Sequence, residues 1–94
     1  MELTETDIMK YMGRCVQVAK LSPANIKKPH VGAIVLSSDG QVAGEGYKSL
    51  LEGTSLVVHA ERMALDNAGD LAGSGYLFTT LEPCIDYKIH LFKP

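Results

Sequence analysis

A histidine, a glutamate and a cysteine carry the most legible chemistry of this chain. His59-Ala60-Glu61 supplies an imidazole with a carboxylate two residues on, and Pro83-Cys84 supplies a thiol. Zinc takes nitrogen from His and sulfur from Cys in a tetrahedral shell, and a catalytic zinc keeps one position for water, so three protein ligands are needed. His59 and Cys84 are candidates for two of them. A carboxylate close to the metal but not bound to it can move protons, and Glu61 has the type and place for that role. A zinc held in this way lowers the pKa of its water toward neutrality, so the chemistry indicated is metal-assisted hydrolysis. Three residues after Cys84 stands Tyr87, and no second cysteine follows before Pro94. His90, six residues after Cys84, is a poor substitute on a helix, where that step is about one and two-thirds turns and points it away.

The elements that must position these groups show in the apolar spacing. Ile8, Met12, Cys15, Val16 and Ala19 recur at steps of three and four, which predicts one stripe of a helix from about Glu5 to Leu21. Thr4 or Thr6 caps it, Cys15 is a core residue, and Gly13 weakens it slightly while allowing close packing. Val31 to Leu36 and Gln41 to Tyr47 flank Asp39-Gly40 and predict a hairpin. Gly44 and Gly46 in its second strand signal a bulge or the close approach of another backbone or a ligand. From His59, the positions Ala60, Met63, Ala64 and Leu65 read as a second helix ended by Gly69. Tyr76 to Thr80 is a third strand, and Pro83 suits the first turn of a third helix that would hold Cys84 near its positive end and favour the thiolate. The order helix, hairpin, helix, strand, helix predicts an α/β fold, a mixed sheet with helices on its faces.

Composition narrows the function. A chain of 94 residues with 46% hydrophobic content is the size of one domain. Nine Lys and Arg against eleven Asp and Glu give a net charge of -2, which argues against duplex DNA or a membrane as partner and for a small molecule. Charges interrupt the first twenty residues and no run is long enough to span a bilayer, so the expected compartment is the cytoplasm. Two cysteines in such a chain are read separately rather than as a disulfide. Lys27, Lys28 and His30 form a basic cluster whose plainer reading is a solvated loop.

His59-Ala60-Glu61-Arg62-Met63-Ala64-Leu65 and Thr80-Leu81-Glu82-Pro83-Cys84, with Val31-Gly32-Ala33 and Gly44-Glu45-Gly46-Tyr47 upstream, resemble the cytidine and deoxycytidylate deaminase superfamily. Its signature is H-x-E followed by P-C-x-x-C, with the Glu shuttling protons. Within it, the motifs are most similar to the pyrimidine deaminases of riboflavin biosynthesis, and next to the tRNA adenosine deaminases. The resemblance implies a sheet of about five strands, of which three are found in the sequence, usually in an oligomer. It implies zinc on His59 and Cys84 and proton transfer by Glu61. It also implies a substrate contact near V-G-A, where the family tends to place Asn-Pro. Lys28-Pro29-His30 stands there instead, and Asn25, His30 and Gly32 are the candidates.

The resulting expectation is zinc-dependent hydrolytic deamination of an aminopyrimidine or cytosine-type base or nucleotide, by the N-terminal part of a single catalytic domain spanning residues 1–94. Two alternatives stand beside it: a non-catalytic deaminase-like fragment or subunit acting through a protein partner, and a tRNA adenosine deaminase. A sheet ending after its third strand would expose an edge, so a homo-oligomer or a further C-terminal segment with the remaining strands is also expected.

Overall fold

Thr4 opens the first helix by bonding in both directions. In the computed structural model, which describes residues 3–23, 26, 30–54, 56–73, 75–82 and 87–91, its hydroxyl accepts from the Asp7 N–H and its own N–H donates to the Asp7 carboxylate, each at 3.1 Å. Such a cap is worth about 1 kcal/mol. Helix α1 runs Glu5–Ala19, two residues short of expectation. Leu21 and Ser22 instead donate to the carbonyls of Val18 and Ala19, the tighter three-residue turns in which helices commonly end. Tyr11, Cys15, Val18 and Ala19 are its buried residues. Gly13 has no atom within 4 Å of where a side chain would begin, so the close packing expected there is absent and only its helix-weakening effect remains.

Strands β1 (His30–Leu36) and β2 (Val42–Tyr47) form the expected hairpin. Gly40 supplies the positive φ of 86° that its turn requires. A short ladder not foreseen in the sequence follows, β3 (Ser49–Leu50) with β4 (Val57–Val58), and leads directly into α2 (Ala60–Ala68). Gly69 ends α2 with φ 57°, as expected. After a 3-10 turn at Gly69–Ala72, β5 (Tyr76–Glu82) returns beside β1.

The third helix, whose expected start at Pro83 lies outside the described residues, does not extend into Tyr87–Leu91. Tyr87–Leu91 is a strand, β6, antiparallel to β5 with Thr80 opposite Tyr87 and Tyr76 opposite Leu91. The run Tyr87-Lys88-Ile89-His90-Leu91 alternates apolar and polar residues, a period that suits a strand and not a helix. The larger sheet therefore has four strands in the order β2-β1-β5-β6. Expected as mixed, it is antiparallel at each described pairing.

Alternation along β1 builds two cores. Ile34 and Leu36 join Tyr11, Cys15 and Phe78 beneath α1. Ala33 and Val35 join Ala60, Ala64, Ala68 and Leu77 beneath α2. The α2 interface is built from small residues: a Cβ at Gly46 would stand 2.2 Å from the Ala60 carbonyl oxygen, and one at Gly44 2.3 Å from that of Ala64. The backbone approach signalled by these glycines is thus the seating of α2 on β2.

Candidate metal centre

His59 is the N-cap of α2. Its backbone is extended, φ -74° and ψ 146°, and its carbonyl accepts the first helical bond, from the Met63 N–H at 3.1 Å. N-caps are usually Ser, Thr, Asp or Asn, whose side chains satisfy a helix N–H. His59 makes no such bond and its side chain is exposed. Its imidazole is therefore not engaged in capping, and the non-helical backbone releases it from the angular phase that would separate residues two apart. Glu61 lies in the first turn, half-buried. Among the described residues no hydrogen bond or ion pair holds its carboxylate.

Strand register sets the start of α2 and the end of β5 at one end of the sheet. Ala60 lies over Gly46, while Ala68 lies over Gly44, so α2 starts at the Tyr47 end of β2. Gly46 pairs with Ala33 and Ala33 with Thr79. From Thr79, β5 runs through Thr80 and Leu81 to Glu82, toward the end where His59 stands. The chain next carries Pro83 and Cys84, which lie outside the described residues. Among the described residues no three His, Cys, Asp or Glu groups could hold a metal by themselves. The donor types nevertheless suit zinc: an imidazole without a capping bond, a thiol two residues past β5, and a carboxylate available for proton transfer.

The remaining candidates fall elsewhere. Gly32 belongs to the α1 face of β1, where a Cβ would stand 1.9 Å from the Cys15 carbonyl oxygen and 2.7 Å from the Ala19 nitrogen. Its small size has a packing cause. His30 continues the same alternation at the end of the sheet where α2 starts, half-buried, its Nε2 3.2 Å from the Ile26 carbonyl oxygen. The structure therefore groups His59 with Glu61 on the α2 side and leaves His30 and Gly32 on the other. Asn25 lies outside the described residues. His90 is on β6 opposite Leu77, not on a helix.

A second cluster fixes α2 and was not singled out in the sequence. Arg14 Nε and Nη2 donate to the Glu45 carboxylate at 2.6 and 2.8 Å, while the Glu45 carbonyl accepts from Asn67 Nδ2 at 2.9 Å. The Arg14 guanidinium holds the Glu45 carboxyl below its ordinary range, and Glu45 in turn raises Arg14. These residues are distant in sequence, so no local spacing marks them. A groove of about 490 Å³ runs beside them along β2 and is lined partly by Tyr47 and Met63. It reaches to within two residues of Glu61 without including it.

A model of the family described as the cytidine and deoxycytidylate deaminase zinc-binding region matches residues 5–86. The cytosine deaminase of Candida albicans is 40% identical over 58 residues, 57% of this chain and 39% of that protein. The chloroplastic riboflavin biosynthesis protein PYRD of Zea mays is 36% identical over 84 residues, 88% of this chain and 20% of that protein. The chain thus spans less than half the length of either relative. The crystal structure of a cytidine deaminase from Burkholderia pseudomallei matches with a TM-score of 0.58 at 21% identity, over 84% of this chain and 62% of that one. At that identity the likeness is one of fold.

Proposed function

Because this chain belongs to the cytidine and deoxycytidylate deaminase zinc-binding family, we propose that it is the metal-holding part of a zinc-dependent hydrolytic deaminase. Its substrate in this reading is an aminopyrimidine or cytosine-type base or nucleotide, which loses its amino group as ammonia. The observation that carries the reading is His59 at the extended N-cap of α2 with Glu61 in the first turn, at the sheet end toward which β5 runs. His59 and Cys84 are the assigned ligands. A third protein ligand completes the tetrahedral shell beside the reacting water.

Zinc, when bound, supplies the Lewis acidity that makes water an available nucleophile near neutral pH. Glu61 accepts the proton of the attacking water and passes it to the ring nitrogen, then takes the remaining proton of the added hydroxyl and delivers it to the amino group, so that the C–N bond breaks, ammonia leaves and the carbon keeps a carbonyl. It can do so because it is not committed to another partner among the described residues. Asn25 and His30 are retained as candidate substrate contacts. The cytoplasm is retained as the compartment; none of the described helices is long and apolar enough to cross a membrane.

The substrate class is tested by ammonia release from the zinc-loaded full-length gene product. Cytosine, cytidine, deoxycytidylate and a phosphorylated diaminopyrimidine are compared with an adenosine-bearing tRNA stem-loop. Turnover of any of the pyrimidines and not the tRNA is expected. Turnover of the tRNA alone would move the protein to adenosine deamination, and turnover of none would favour the non-catalytic subunit.

A further inference from the structure

Strand β2 stands at the end of the described sheet order. Gly44 and Gly46 pair with Val35 and Ala33 of β1, and the Glu45 carbonyl and Tyr47 N–H instead meet side chains of α2. The outward positions of this edge are therefore Ala43, Glu45 and Tyr47. An edge of this kind recruits other strands unless something blocks it, more so when its rim is apolar. The rim here includes Leu21 and Val42, 61% and 48% exposed.

Each outward position carries its own obstacle. At Ala43 the register slips: Val35 faces Gly44 and Leu36 faces Val42, so Ala43 is the extra residue of a bulge, which bends the edge and limits an added ladder to the regular stretch from Gly44 to Tyr47. At Glu45 the carbonyl is taken by Asn67 Nδ2 at 2.9 Å. At Tyr47 the N–H donates to Met63 Sδ at 3.5 Å. Asn67 and Met63 are four residues apart on α2, one turn, and so stand in a row along the strand.

We infer that helix α2 seals the outer edge of β2 against strand addition, with Asn67 and Met63 occupying the groups an incoming strand would need and the Ala43 bulge limiting the length of its ladder. Contacts between copies of this chain then use other surfaces. The inference does not depend on the deaminase reading.

The test compares the parent protein with Asn67→Ala/Met63→Leu, which removes both guards while keeping helix propensity and most of the packing volume. Sedimentation velocity over a range of concentrations, with circular dichroism to compare the folds, should show the double variant gaining a species of at least twice the parent's mass. Adding Val42→Lys, an exposed charge on the same edge, should abolish that species. A double variant that sediments like the parent, or a new species that survives Val42→Lys, would overturn the inference.

Discussion

Cys15 and Glu45 show how differently two ionisable side chains are used in one small protein. Cys15 is wholly buried between α1 and the sheet, and its Sγ donates to the Phe78 carbonyl at 3.5 Å. Burial pushes its thiol up to about 12, so it holds almost no thiolate at neutral pH and acts as a small hydrophobe. In a Cys84→Ser background, a disulfide reagent at pH 8 should leave the folded protein unlabelled and react fully in denaturant. Rapid labelling of the native protein would contradict this packing. That role was legible because Cys15 falls in the apolar stripe of α1, whereas the Arg14–Glu45 pair was not, its partners being 31 residues apart. The folded pKa of Glu45 is lowered by Arg14, so the pair's stabilisation is complete above the ordinary value of 4.5 and is lost as pH falls through the lower folded value. With side chains 47% and 31% exposed, solvent screens the pair and its contribution is small. Urea unfolding should show Glu45→Gln less stable than the parent at pH 7, with the gap closing in acid; a gap that widened in acid would reverse the sign.

At the scale of elements, the seat of α2 decides whether His59 and Glu61 are held in place. The glycines of β2 announced a close approach in the sequence, but only the structure identifies the partner as the backbone of α2. A Cβ at Gly46 would meet the Ala60 carbonyl oxygen at 2.2 Å and the Ala64 nitrogen at 2.5 Å, both backbone atoms that cannot swing aside. Gly46→Ala should therefore destabilise the fold by about 1–3 kcal/mol and weaken zinc binding as the first turn of α2 shifts. Gly13→Ala is the opposite case, with open space around an exposed helical position, and should stabilise by roughly 0.5–1 kcal/mol. Thermal unfolding of the two variants separates these effects by sign. Helices α1 and α2 were legible because their period of 3.6 extends over enough residues, and the first hairpin because Asp39-Gly40 stands between two strand-like runs. The β3–β4 ladder was not, since two residues per strand carry no period. Strand β6 was misread because Pro83 suggested a helix start, while the alternation from Tyr87 to Leu91 carried the competing signal that the structure follows.

For the molecule as a whole, the sheet ties the proposed chemistry together. Helix α2 and strand β5 lie in different parts of the sequence, yet the pairing of β1 with both β2 and β5 sets the start of one and the end of the other at the same side. The types of the candidate ligands were legible in the sequence, and so was the position of His59 at a helix start. That the start of α2 and the end of β5 share one side of the sheet required strand order, which no spacing encodes. The central claim is that Glu61 moves protons while His59 and Cys84 hold metal, and it is tested most directly by measuring zinc content and ammonia release on the same samples of the full-length gene product. Glu61→Ala should retain the parent's zinc and lose about 10²–10⁴-fold in rate, whereas His59→Ala and Cys84→Ala should each lose the zinc. A Glu61→Ala protein that deaminates at the parent's rate, or a His59→Ala protein that keeps its zinc, would contradict the account.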